Sequence, residues 1–91
     1  MVGVLPGREG RRNRMVVKPL SEMKAGEKGR ISQVGGSGQI HRRILDMGVI
    51  PQTTVEVERI APMGDPMWIR LKGYQLSLRK SEAANVYVEV V

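Results

Sequence analysis

The chain has 91 residues, with 15 Lys or Arg against 9 Asp or Glu, and a formal net charge of +6. It contains no cysteine, which excludes disulfide bonds, thiolate metal sites and thiol nucleophiles. One small domain fits this length, and no apolar run approaches the ~20 residues of a membrane-spanning helix. We therefore expect a soluble, cytoplasmic protein.

The positive charge is concentrated at the N-terminus. The first fourteen residues hold four arginines and one glutamate, so half of the net charge lies there. Residues 1–15 mix Gly, Pro and Arg without a period, which predicts a disordered basic extension. It is either an electrostatic arm or a start-site extension, and the second interpretation is favoured. Residues 16–91 are predicted to form the domain.

The sequence pattern in the first half of this domain predicts a strand followed by a helix. A strand over residues 28–34 is stopped by the glycine-rich residues 35–38. Helical spacing follows over residues 39–47, with Ile40 and Ile44 on one face.

Alternating apolar residues dominate the second half. The runs on either side of Gly73 predict a tight hairpin, and Ser81 is the expected cap of a helical turn. Four further strands are predicted, over residues 54–60, 67–72, 74–79 and 86–91. Five short strands with one helix after the first predict a mainly β protein, one small barrel without exposed edges. A Val-rich edge at residues 86–91 would favour a homo-oligomer.

The loop before the hairpin is a candidate contact surface. Residues 61–66 hold two prolines and one glycine, which predicts a shaped turn. Trp68 follows this loop and is interpreted either as an exposed peptide anchor or as the largest side chain of the core. The core interpretation is favoured for a single Trp in a small domain.

Catalysis and tight metal binding are not expected. Residues 35–38 lack the Gly-Lys-Ser/Thr of a nucleotide-binding loop, so a flexible connector is favoured. His41 is the only histidine and is expected at the surface; alone it cannot supply a tight transition-metal site. His41 and Asp46 remain weak metal candidates. Glu56 and Glu58 are interpreted as solvated charge on a strand face rather than an acid–base pair.

The predicted helix also carries a basic pair. Arg42 and Arg43 could bind a phosphate or an acidic protein, or could form a solvated helix face. A functional pair would favour a protein over nucleic acid, because the domain lacks interleaved exposed aromatic residues.

Several short segments, in order and spacing, resemble the FeoA family, the small cytosolic component of ferrous iron transport. The resemblance extends from residue 19 to residue 90. Its marks are PL at 19–20, KAG at 24–26, RILDMGVIP at 43–51, APMGDP at 61–66, GYQLSLR at 73–79 and EA at 82–83. The family has glycine after the proline where this chain has Gln52, so the turn there is expected to differ.

This resemblance implies an SH3-like barrel, the fold that also ends DtxR-type repressors. It implies an accessory, regulatory role beside the FeoB membrane GTPase-transporter, with the membrane reached only through that partner. A transition-metal ion such as Fe²⁺ or Zn²⁺ would be weakly bound, and no cofactor is required. The candidate partner-binding residues are Arg42, Arg43, Asp46, Met63, Gly64, Asp65 and Pro66.

A nucleic-acid-binding barrel is the alternative function. SH3-like barrels also occur in ribosomal and transcription proteins, and the net charge of +6 supports the idea. Such binding would depend on salt and would survive deletion of residues 1–14.

Overall fold

The structure is a computed structural model that describes residues 16–91; the predicted extension at residues 1–15 lies outside them. The two α-helices are α1 (Gly38–Asp46) and α2 (Lys80–Ala83), and a 3₁₀ turn covers Leu20–Glu22. The six strands are β1 (Val16–Pro19), β2 (Lys28–Val34), β3 (Thr54–Ile60), β4 (Met67–Leu71), β5 (Tyr74–Leu78) and β6 (Val86–Val90).

All six strands form one antiparallel sheet in the order β1-β6-β2-β3-β4-β5. The mainly β prediction is confirmed, and the five predicted strands are β2 to β6. The short strand β1 was not predicted. The last strand, β6, lies between β1 and β2, so its interpretation as an exposed edge was wrong. Within residues 16–91 the sheet keeps two edges, β1 and β5, where the predicted barrel had none.

The core follows the two-residue period of the strands. In β4, Met67, Ile69 and Leu71 are buried, and the residues between them face outward. A bulge in β2 between Ile31 and Gln33 shifts the register so that both Ile31 and Val34 are buried. Each fully buried Val, Leu or Ile side chain contributes roughly 1.5–3 kcal/mol to the free energy of folding. The residues fully buried beside these are Leu20, Met23, Ile44, Val49, Val55, Val57, Leu78, Ala83, Val86 and Val88.

Trp68 lies on the outer face of β4 and is only half buried. The guanidinium group of Arg59 lies 4.0 Å from the centre of its ring. A cation over an aromatic face is attracted by the negative face of the ring. The favoured prediction that Trp68 is the largest core residue is therefore wrong, and Arg59 covers one of its faces.

Strands β2 and β6 pack too closely for a side chain at Gly29. A Cβ atom added there would overlap the carbonyl oxygen of Glu89 and crowd the side chain of Val88. Since backbone cannot move aside as a flexible side chain can, this contact requires glycine.

The turn after Pro51 keeps a glycine-like backbone although it contains Gln52. Gln52 has φ +79°, in the left-handed region that side chains other than glycine rarely adopt. Its N–H donates to the carbonyl oxygen of Ile31 at 2.7 Å, which ties the turn to β2. A glutamine therefore occupies a backbone position that favours glycine.

Replacing Gln52 by glycine should stabilise the protein. Relief of the left-handed strain is worth about 1 kcal/mol, less a few tenths for the greater flexibility of the unfolded chain. Urea unfolding of the Gln52→Gly variant should show a higher midpoint. The control variant Gln33→Gly makes the same exchange within β2, where φ is negative, and should lower the urea midpoint. A lower midpoint for both variants would contradict this account.

The outer face of β3 and β4 carries a network of charges centred on Glu58. Its carboxylate accepts hydrogen bonds from Nε of Arg70 and from Nε2 of Gln75. These bonds, that of Arg70 first, lower the pKa of Glu58 below its ordinary value of 4.5. Glu58 lies on the outward strand face as predicted, but its charge is paired with Arg70 and its side chain is only 23% exposed.

The lowered pKa makes the contribution of Glu58 depend on pH. A carboxyl group with a depressed folded-state pKa stabilises the fold above about pH 4.5, and this is lost as the pH falls through the folded-state value. Glu58→Gln should therefore destabilise the protein at pH 7 and less so at pH 3 in urea unfolding. Glu22→Gln, an exposed carboxylate in the 3₁₀ turn, is the control. An equal loss for Glu58→Gln at both pH values would contradict the proposal.

Candidate functional site

Helix α1 presents its predicted polar residues to solvent beside a surface depression. Ile44 is buried and anchors the helix, while Arg42, Arg43 and Asp46 are exposed. Ile40, predicted on the buried face, is 42% exposed. The depression has a volume of about 440 Å³ and brings α1 together with α2. Its lining residues are Gln39, Ile40, Arg42, Arg43, Asp46, Arg79, Ser81 and Glu82.

A second depression of about 480 Å³ joins this helix to the loop before the hairpin. It is lined by Arg43, Met47, Asp65, Pro66, Ser77, Arg79 and Glu82. Arg43, Arg79 and Glu82 line both depressions, so the two predicted parts of the contact surface are adjacent. We call Arg42, Arg43, Asp46, Asp65, Pro66, Arg79 and Glu82 the α1–loop surface.

Glu82 is the buried centre of this surface. One carboxylate oxygen lies 3.3 Å from Nε of Arg43, and the other accepts the backbone N–H of Arg79 at 3.0 Å. The Glu82 side chain is only 10% exposed, whereas that of Arg43 is 66% exposed. One carboxylate therefore links α1 to the start of α2.

The start of α2 differs from the prediction. The residue before the helix is Arg79, not Ser81, and an arginine side chain has no acceptor for a helix N–H. Glu82 at the third helical position accepts the Arg79 N–H instead, which is half of a capping box. Sequence reasoning missed Arg79 and Glu82 as site residues. The sequence signal that could have found them is a glutamate three positions after the residue that precedes the helix.

The loop over residues 61–66 has the predicted shaped turn. The N–H of Ala61 donates to Pro66 at 3.0 Å, and the N–H of Gly64 donates to Ala61 at 2.7 Å. Oδ1 of Asp65 accepts the N–H of Lys80 at 3.0 Å, which fastens the loop to α2. Met63, at the tip, is 88% exposed, and neither Met63 nor Gly64 lines either of these two depressions.

No ligand cluster forms around the metal candidates within residues 16–91. His41 is half buried, not fully exposed, and its Nδ1 lies 3.1 Å from the carbonyl oxygen of Gly35. That contact leaves only the second ring nitrogen for a metal ion. Among residues 16–91 no group of three or more His, Asp or Glu side chains is placed to hold a metal.

Two further cations form ion pairs away from this surface. Lys18 pairs with Glu27 at 3.2 Å, and Arg30 pairs with Glu89 at 3.4 Å. A hydrogen bond from the Lys24 N–H, and then one from Lys18, lowers the pKa of Glu27. Along the part of the chain that the structure describes, no helix is long and apolar enough to cross a membrane.

Comparison with known proteins identifies the family. The model of the FeoA domain matches residues 18–90. A curated relative from Porphyromonas gingivalis, an Fe(2+) transport protein A/Fe(2+) transporter FeoB fusion protein, is 39% identical over 72 residues. The match covers 79% of this chain and 8% of that fusion protein, so the chain spans a small part of its relative's length.

Solved structures share the fold. A FeoA-like protein from Clostridium acetobutylicum is 41% identical with a TM-score of 0.77, covering 82% of this chain and 87% of that chain. A zinc complex of Stenotrophomonas maltophilia FeoA, described as a prokaryotic SH3 domain protein, is 24% identical with a TM-score of 0.67. It covers 79% of this chain and 93% of that chain, and at this identity it supports the SH3-like fold alone. With the family model matched over nearly the whole described domain, this chain belongs to the FeoA family.

Proposed function

We propose that this protein is a small accessory and regulatory protein of ferrous iron transport that binds a FeoB-type membrane GTPase-transporter. One observation carries the proposal: in a relative, a domain of the same kind is joined to a FeoB transporter in a single chain. Two proteins fused in one organism commonly associate as separate chains in another. The proposed location is cytoplasmic, beside the GTPase part of that transporter.

The proposed contact is the α1–loop surface together with Met63 and Gly64. It combines exposed guanidinium groups, which suit pairing with carboxylates, with an exposed methionine at a loop tip. The hydrogen bond from Lys80 to Asp65 holds the loop in place, so little ordering would be needed on binding.

The role proposed is binding without a catalytic step. The alternative of a nucleic-acid-binding module gains no support from the α1–loop surface, where Asp46, Asp65 and Glu82 are interspersed with arginines. A phosphate backbone is bound best by a continuous basic face.

A transition-metal ion, if bound, is proposed to be weakly held at His41 and not required for partner binding. One ring nitrogen that belongs to no group of three or more ligand side chains among residues 16–91 cannot make a tight site.

The surface is best tested with Arg42→Glu and Met63→Ala. Both side chains are exposed, and Arg42 has no ion pair within residues 16–91, so the fold should be retained. In calorimetric titration of the full chain into the cytosolic GTPase region of a FeoB-type transporter, we expect each variant to bind about fivefold or more weakly, ~1 kcal/mol.

Arg43→Glu is a poorer test, because the new carboxylate would lie against that of Glu82 and weaken the fold itself. Lys28→Gln removes a positive charge in a different depression without placing a carboxylate opposite Glu56, and should bind normally. Unchanged affinity for both Arg42→Glu and Met63→Ala would place the contact elsewhere. A titration with no heat for the native chain, with or without GTP, would overturn the proposed function.

Metal removal should leave the complex intact. We expect the same affinity after treatment with a chelator, and again for His41→Asn, because no metal-holding cluster supports the proposed contact within residues 16–91. Calorimetry in chelated buffer and in buffer with added Zn²⁺ provides the measurement. A loss of binding on chelation that Zn²⁺ restores would show that this proposal is wrong.

A further inference from the structure

Strand β5 is a sheet edge whose outward backbone groups lie open. Leu71 and Tyr74 form the hydrogen-bonded pair next to the two-residue turn of this hairpin. Hydrogen-bonded and non-hydrogen-bonded pairs alternate along antiparallel strands, so Gln75 and Ser77 belong to non-hydrogen-bonded pairs. Gln75 and Ser77 therefore direct their backbone N–H and C=O groups away from β4. Within residues 16–91 these groups receive no bond from another strand, turn or loop, and both residues are exposed.

A groove runs beside this edge. Ser77 of β5 lines the depression of about 480 Å³ together with Arg43 of α1 and Met47, the residue directly after that helix. A groove between an edge strand and a helix is the arrangement in which proteins accept an extended peptide as an added strand. Backbone hydrogen bonds then supply affinity, and side chains in the groove supply specificity.

The charge of the groove selects the occupant. Arg79, directly after β5, lines both depressions and has no ion pair within residues 16–91; the same holds for Arg42 in the first depression. Two of the three carboxylates that line the depressions are engaged, Glu82 by Arg43 and Asp65 by the N–H of Lys80. The third, Asp46, is exposed and lines the first depression with Arg42. Two guanidinium groups thus remain to pair with incoming carboxylates.

We propose that the β5 edge binds an extended acidic segment of the partner protein by strand addition. The segment would exchange backbone hydrogen bonds with Gln75 and Ser77 and direct carboxylates to Arg79 and Arg42. This inference rests on the proposed function for the identity of the partner. A second copy of this chain is disfavoured as the occupant, because each copy carries a net charge of +6.

The first test uses the full chain with a short peptide of alternating valine and glutamate. Hydrogen exchange followed by NMR should show slower exchange at the amides of Gln75 and Ser77. The same peptide with alternate backbone nitrogens methylated should give no protection, since it cannot pair with the edge. An alternating valine and lysine peptide should bind at least tenfold more weakly. No protection at millimolar acidic peptide, or equal protection by the lysine peptide, would overturn the proposal.

The second test uses the cytosolic GTPase region of a FeoB-type transporter. Arg79→Gln and Ser77→Pro should each weaken binding about tenfold. The control variant Lys28→Gln also removes one positive charge, and it should bind with the affinity of the native chain. Proline lacks the outward N–H and is tolerated on edge strands; circular dichroism checks the fold of that variant. Protection of Gln75 and Ser77 in the native chain provides the same information without a substitution.

The two proposals can fail separately. Transporter binding that is unaffected by Ser77→Pro and leaves the Gln75 and Ser77 amides exchanging freely would overturn strand addition and leave the proposed function standing. No transporter binding at all would overturn the proposed function, and the peptide measurements would then decide strand addition alone. Sedimentation of the native chain as a dimer with protected β5 amides would assign the edge to a second copy and overturn the acidic partner.

Discussion

The carboxylate of Glu82 joins the parts of the molecule on which the candidate site depends. It is almost buried, it forms an ion pair with Arg43, and it accepts the backbone N–H of Arg79. Because Arg43 is largely exposed, the ion pair itself contributes at most about 1 kcal/mol. Its structural effect is larger than that energy, since it fixes α1 beside α2 and so shapes both depressions.

A second set of contacts holds the loop and the hairpin in the same arrangement. Asp65 accepts the N–H of Lys80, and the hydroxyl of Tyr74 donates to the carbonyl oxygen of Met47 at 3.0 Å. That bond lies at the C-terminal end of α1, where helix carbonyl groups lack partners within the helix. The loop, the helix and the first residue of β5 are therefore each tied down, and a partner would meet a surface that is already formed.

Charge is used differently on the two sides of the protein. On the outer face of the sheet, cations and carboxylates from neighbouring strands are paired, as Arg70 is with Glu58 and Arg30 with Glu89. Beside α1, Glu82 and Asp65 are engaged by the fold itself, which leaves Arg42 and Arg79 for other partners. The net charge of the whole chain does not reveal this difference, because it depends on which side chains meet.

The sequence by itself determined the strand pattern, the hairpin, the shaped loop and the helix after the glycine-rich segment, because local periodicity and turn residues specify these elements. It also carried the family resemblance. Only the tertiary structure decided that β6 lies inside the sheet, that Trp68 faces outward and that Gln52 takes a positive φ, since strand order, bulges and register depend on contacts between distant segments. For the same reason, Arg79 and Glu82 could join the candidate site only once the chain had folded α1 against them.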